Sequence, residues 1–179
     1  MKTLNNYINE ALIKKDTKIK IYNYFPKDKY KLRSLLKQLL KERGKDANLN
    51  DIDTSKITDM SNLFYELDPH EIDISKWDVS KVEDMSRMFM YCYNFNADLS
   101  NLDVSKVENM KYMFYKCKNF ISDLSNWDVS KVEDMDCMFF ECEKFNSDLS
   151  NWNIKNVASM DLMLERCTSL KNKPDWYKK

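Results

Sequence analysis

The chain has 179 residues, 43% of them hydrophobic, with 29 basic and 29 acidic side chains, one glycine and three prolines. That content suffices for one core, or for a small domain with an appendage, and excludes a disordered chain. A single glycine excludes flexible linkers and glycine-rich phosphate loops, and no apolar run has the length of a signal peptide or a bilayer span, so the expected setting is the cytoplasm, with no membrane.

Residues 1–47 form the first unit. Leu4, Tyr7, Ile8, Ala11 and Leu12 recur at i, i+3, i+4, i+7 and i+8, as do Leu32, Leu35, Leu36, Leu39 and Leu40, which predicts two amphipathic helices. Between them, residues 18–25 alternate weakly and read as extended. Pro26 and Asp28 precede the second helix, and Gly44 closes it as a C-cap with positive φ. The unit carries 13 Lys/Arg against 5 Asp/Glu, whereas residues 48–179 carry 16 against 24, so the boundary falls between Gly44 and Ala47.

From Asn48 to Asn172 the chain repeats itself five times at a shift of 25 without a gap. Trp77, Leu102, Trp127 and Trp152 align, as do Met85, Met110, Met135 and Met160, and Cys92, Cys117, Cys142 and Cys167. Val82, Met85, Met88, Phe89 and Cys92 have helical spacing, and Ser80-x-x-Glu83 reads as a capping box, repeated at Ser105 and Ser130. Each lap therefore reads as one helix plus a minimal strand near Asp98-Leu99-Ser100. Such a unit cannot enclose a core alone, so the laps must stack. Strands about 4.8 Å apart and helices about 8–10 Å apart would bend the stack with its strands inside. The fold class predicted is α/β, a curved solenoid. The same helix spacing exceeds the roughly 7 Å Cα separation that a disulfide tolerates, so the aligned cysteines read as small core residues.

The fifth lap replaces the capping-box serine and glutamate by Lys155 and Ala158, and residues 173–179 form a short tail in which Trp176 and Tyr177 are expected to fold over the last core layer.

The phrase F-N-x-D-(L/I)-S-x-W-D-V-S-x-V-x-x-M-x-x-M-F, carried here by Phe95, Asn96, Asp98, Trp77, Asp78, Val79, Ser80, Val82, Met85, Met88 and Phe89, resembles the BspA-type leucine-rich-repeat proteins, a repeat also known as the mycoplasma lipoprotein-associated domain of unknown function. The resemblance covers residues 48–172. It implies a leucine-rich-repeat-like solenoid that binds other macromolecules, and it brings no catalytic residues. Members of that family are often exported or lipid-anchored adhesins; the expected location of this chain differs because it shows no signal peptide or lipobox cysteine.

Letters that vary between laps mark the candidate surface. On a helix Tyr115 would face away from the buried stripe, aligned with Tyr65, Met90 and Phe140; one turn earlier come Arg87 and Tyr112, and Tyr91 lies beside them. These seven residues are the candidate partner-binding set, the alternative being that they pack laterally between laps. Asp73, Asp98, Asp123 and Asp148, and Asp78, Asp103 and Asp128 with Asn153, form columns that could hold calcium but read better as Asx-turns. The basic first unit, with Tyr22, Tyr24 and Phe25 among its lysines, offers a weaker nucleic-acid surface. His70 stands alone, and Cys137 has no basic neighbour in sequence, so neither a nucleophile-base pair nor a zinc cluster assembles. The expectation is a non-enzymatic protein-protein interaction module with no cofactor and no metal. The alternative is an acidic decoy that inhibits a nucleic-acid-binding enzyme, such as an anti-defence protein encoded by a mobile element.

Overall fold

A computed structural model describes residues 21–177. The first predicted helix and the lysines before position 21 lie outside the described residues.

Helix α1 spans Lys29–Arg43 and forms as its leucine spacing predicts, with Leu32, Leu36, Leu39 and Leu40 buried. The Asp28 side chain accepts the Lys31 N–H, and the Gly44 N–H donates to the Leu40 carbonyl. Gly44 has φ +89, and a Cβ placed there would meet nothing within 4 Å. Backbone conformation, not space, is what calls for glycine at this position. The helix lies against the first lap: Lys29 Nζ reaches Asp59 and Ser61, Arg33 donates to the carbonyls of Asn62, Leu63 and Tyr65, and Arg43 grips Asp51 through both terminal nitrogens. Tyr24 and Ile52 form a parallel bridge at the same end.

Beyond Gly44 the laps lie side by side in parallel. Asp59, Asp84, Asn109, Asp134 and Ser159 are bridged in sequence, each to its counterpart 25 residues on. The N–H groups of Met85, Arg87, Phe89 and Tyr91 donate to the carbonyls of Asn109, Lys111, Met113 and Tyr115, and the same four positions of the laps before and after repeat the pattern. Hydrogen bonds between laps thus follow the repeat.

The predicted helix in each lap does not form: among the described residues α1 is the only α-helix, and the segments that follow the Ser-x-x-Glu phrase are runs of turns. Met88, Met90 and Cys92 donate to the carbonyls of Met85, Arg87 and Phe89, three residues back. Alternate N–H groups make these turns while the others cross to the next lap, so no backbone donor from Met85 to Cys92 is left over, the Ser86 N–H going to the Asp84 carboxylate. An α-helix would spend all of them within one lap. The expected minimal strands are likewise reduced to isolated bridges, and the predicted bend, which rested on helix thickness, loses its premise.

The Ser-x-x-Glu phrase is not a capping box either. Ser80 Oγ donates to Asp78 Oδ1 at 2.6 Å, and the Glu83 N–H donates to the Thr58 carbonyl of the preceding lap.

Inside, Phe64, Phe89, Phe114 and Phe139 stack with centroids 5.1–5.6 Å apart and planes within 10°. Phe95, Phe120 and Phe145 form a second file, 5.7 and 5.9 Å apart. The indoles of Trp77, Trp127 and Trp152 donate to the carbonyls of Leu49, Leu99 and Leu124. At the end Trp176 makes the same bond to Leu149 at 3.1 Å, and Trp176 and Tyr177 pack on the core as expected.

Candidate interaction surface

Two columns of residues with left-handed backbone carry the surface. Asn62, Arg87, Tyr112, Cys137 and Leu162 have φ between 53 and 58°, and Glu66, Tyr91, Lys116, Glu141 and Arg166 between 57 and 63°. Each is the third residue of a turn, the position at which φ is positive in a type II turn. None is glycine. In the first four laps the crossing hydrogen bonds of Arg87, Tyr91 and their equivalents hold a conformation that costs an L-residue about 1–2 kcal/mol.

Six of the seven candidate residues are brought together. Tyr65 meets Tyr91 at 5.9 Å between centroids, Tyr91 meets Tyr115 at 5.6 Å, Tyr115 meets Tyr112 at 5.5 Å and stacks on Phe140 at 5.0 Å. Arg87 lies over the Tyr112 ring at 5.3 Å. Met90 occupies the same column between Tyr65 and Tyr115, half-buried, and accepts the Glu66 N–H on its carbonyl. The strip is half-buried throughout, because its rings rest on one another across laps as well as facing solvent.

Cations line it. Lys116 stands 5.8 Å from Tyr91 and 5.4 Å from Tyr115, Arg166 lies 5.6 Å from Phe140, and Lys111 lies 5.6 Å from Tyr112. Lys111 also pairs with Asp136 at 2.7 Å and Asp134 at 3.2 Å, and these contacts, Asp136 foremost, raise its pKa. Burial raises the Tyr115 phenol. Lys116, Arg166 and Tyr93 escaped the sequence reading, although each stands where the letters vary between laps; the signal was present, but a helical projection assigned them no common face.

The aspartate columns are Asx-turns. Asp98, Asp123 and Asp148 accept the N–H of the serine two residues on at 2.9 Å, and Asp78, Asp103 and Asp128 do so at 3.0–3.2 Å. Hydrogen bonds from these serines hold the Asp98, Asp123, Asp128 and Asp148 carboxyls below their usual range. Among the described residues no group of three or more His, Cys, Asp or Glu is placed to hold a metal.

All five cysteines are free and buried, and burial raises every thiol. His70 Nδ1 lies 3.9 Å from Asp46. In the basic unit, Lys29, Arg33 and Arg43 are turned onto the first lap, Tyr24 is half-buried under Arg43, and Phe25 is exposed.

The model of a family described as "Mycoplasma protein of unknown function, DUF285" matches residues 33–125 and again 100–178. No curated protein and no solved structure matches.

Proposed function

Since the chain belongs to this family of mycoplasma proteins of unknown function, we propose that it is a non-enzymatic interaction module, a leucine-rich-repeat-like solenoid of the BspA type that binds a protein through the aromatic strip. The observation that carries the reading is the unbroken run of half-buried rings from Tyr65 through Tyr91 and Tyr115 to Phe140, crossing four laps. Aromatic side chains with flanking arginine are the enriched components of protein interfaces, and large rings kept partly wet along a stack whose core is already filled by two files of phenylalanine add little that the core needs. No helix among the described residues is long and apolar enough to cross a membrane.

The test is affinity capture from native lysate at low and high salt, read by mass spectrometry, with wild type beside a Tyr115→Ala/Phe140→Ala variant whose thermal unfolding is checked first. A partner held through rings survives moderate salt and is lost with the variant. If the folded variant recovers the same proteins as wild type, the strip is not the binding surface; capture abolished by salt alone points to the acidic-decoy alternative.

A further inference from the structure

The strip is not uniform along its length. Tyr91, Tyr112, Tyr115 and Phe140 each have a lysine or arginine of this chain within 6 Å of the ring centroid, Lys116 reaching Tyr91 at 5.8 Å, whereas among the described residues none stands over Tyr65 or Tyr93. Arg33, the nearest arginine on α1, is committed to the backbone carbonyls of Asn62, Leu63 and Tyr65.

At that end Tyr65, Tyr91 and Tyr93 line an open depression of about 590 Å³ together with Glu66 and Asp68. The Tyr65 and Tyr91 rings meet at 68° and the Tyr91 and Tyr93 rings at 42°, so they stand as walls, unlike the flat pair of Tyr115 and Phe140 at 8°. Asp68 is fixed, accepting the backbone and side-chain N–H groups of Asn94 at 2.8 Å, and the exposed Glu66 carboxylate beside Tyr65 raises that phenol. A carboxylate has about four acceptor sites, so each keeps capacity for a cation. Ring faces attract ammonium groups, and an aromatic cage with acids beside it is the arrangement that recognises alkylated ammonium.

We infer that Tyr65, Tyr91 and Tyr93, with Glu66 and Asp68, form a cage for an ammonium-bearing side chain of the protein partner, a lysine or its methylated form. The inference rests on the interaction reading above and names what one end of the strip takes. An open, shallow cage suits a side chain delivered by another surface better than a free small molecule, which would need enclosure on most sides.

The test is NMR titration of the full chain with Nα-acetyl-trimethyllysine amide, Nα-acetyl-lysine amide, the neutral tert-butyl isostere of the former, and phosphatidylcholine vesicles. Saturable shifts of the tyrosine ring signals are expected with the cationic amides. They should weaken roughly tenfold in Tyr93→Ala and severalfold in Glu66→Gln, while Ile121→Ser, at an exposed residue outside the strip, leaves them unchanged. Equal response to the neutral isostere, no saturable response, or the same response in Tyr93→Ala would overturn the cage, as would vesicles outcompeting the amides, which would make the ligand a lipid headgroup. Should the amides fail while the Tyr115/Phe140 variant still loses its captured partner, only the cage falls; loss of both results removes the interaction reading too.

Discussion

The thiol of Cys117 donates a hydrogen bond to the backbone carbonyl of Phe89, 3.1 Å away in the preceding lap. Cys92 reaches Phe64, Cys142 reaches Phe114 and Cys167 reaches Phe139 in the same way. The cysteine column thus joins laps without covalent bonds. Burial pushes Cys92 and Cys167 up to about 12, and Cys117 and Cys142 well above the ordinary thiol value.

Stability should therefore fall at alkaline pH. The native thiols keep their protons between about pH 9 and 12 while the unfolded chain gives them up, so the unfolded state binds fewer protons and is favoured as pH rises. The contribution is whole below the unfolded pKa and is lost at about 1.4 kcal/mol per pH unit for each thiol. Urea unfolding from pH 8 to 11 should show this slope, and Cys117→Ala should flatten it while costing about 2 kcal/mol at neutral pH.

An Asx-turn keeps its function when the charge is removed. Asp128→Asn retains the acceptor for the Ser130 N–H, as Asn153 does for Lys155, whereas Asp128→Ala loses it. The alanine variant should lose about 1 kcal/mol and the asparagine variant much less. With carboxyls depressed in the native state, stability is present above the unfolded aspartate pKa of about 4 and lost as pH falls through the native values. Asp128→Asn should reduce this acid slope in a thermal melt series.

Leu162 has φ 55° and is half-exposed. Glycine there relieves about 1–2 kcal/mol of left-handed strain and costs about 0.4–1 kcal/mol through the unfolded chain, so Leu162→Gly should be neutral to about 1.5 kcal/mol stabilising. Leu162→Val, β-branched at positive φ, should destabilise by more than 1 kcal/mol. A melting temperature lower for the glycine variant than for the valine variant would contradict the backbone assignment.

Leu102 stands where the laps on either side place a tryptophan, and it offers no indole to the carbonyl of the preceding lap. Leu102→Trp should add a bond to Ile74 and a ring contact to Phe89 like that of Trp127 with Phe114, worth about 1 kcal/mol. Guanidinium unfolding reads the gain; a loss would mean the third lap is too tight for the larger ring.

The register was legible because Met, Trp, Cys and Phe recur at a shift of 25 and all mark buried depths, and α1 was legible because its leucine period and its Asp28 and Gly44 ends agree. The conformation of each lap was not. Val82, Met85, Met88 and Cys92 are three or four residues apart both in a helix and in linked turns closed by bonds to the third residue back, so spacing alone does not separate the two. Glycine or asparagine at Arg87 and Tyr91 would have signalled positive φ, but these positions are held by hydrogen bonds to another lap, which no single lap displays. Six of the seven surface residues came together for a different reason from the one projected: Tyr115 and Phe140 share a turn position in successive laps instead of a helix face.

The crossing bonds at the Met85, Arg87, Phe89 and Tyr91 positions, from Met60 with Asp84 to Glu141 with Glu165, all span the same offset of 24 residues. Length in this molecule is accordingly quantised. A one-residue insertion would swap crossing donors for turn donors downstream of it and invert which side chains are wet, while recombination that adds or deletes a complete copy leaves every surviving bond intact and lengthens or shortens the ring-bearing edge by one rung.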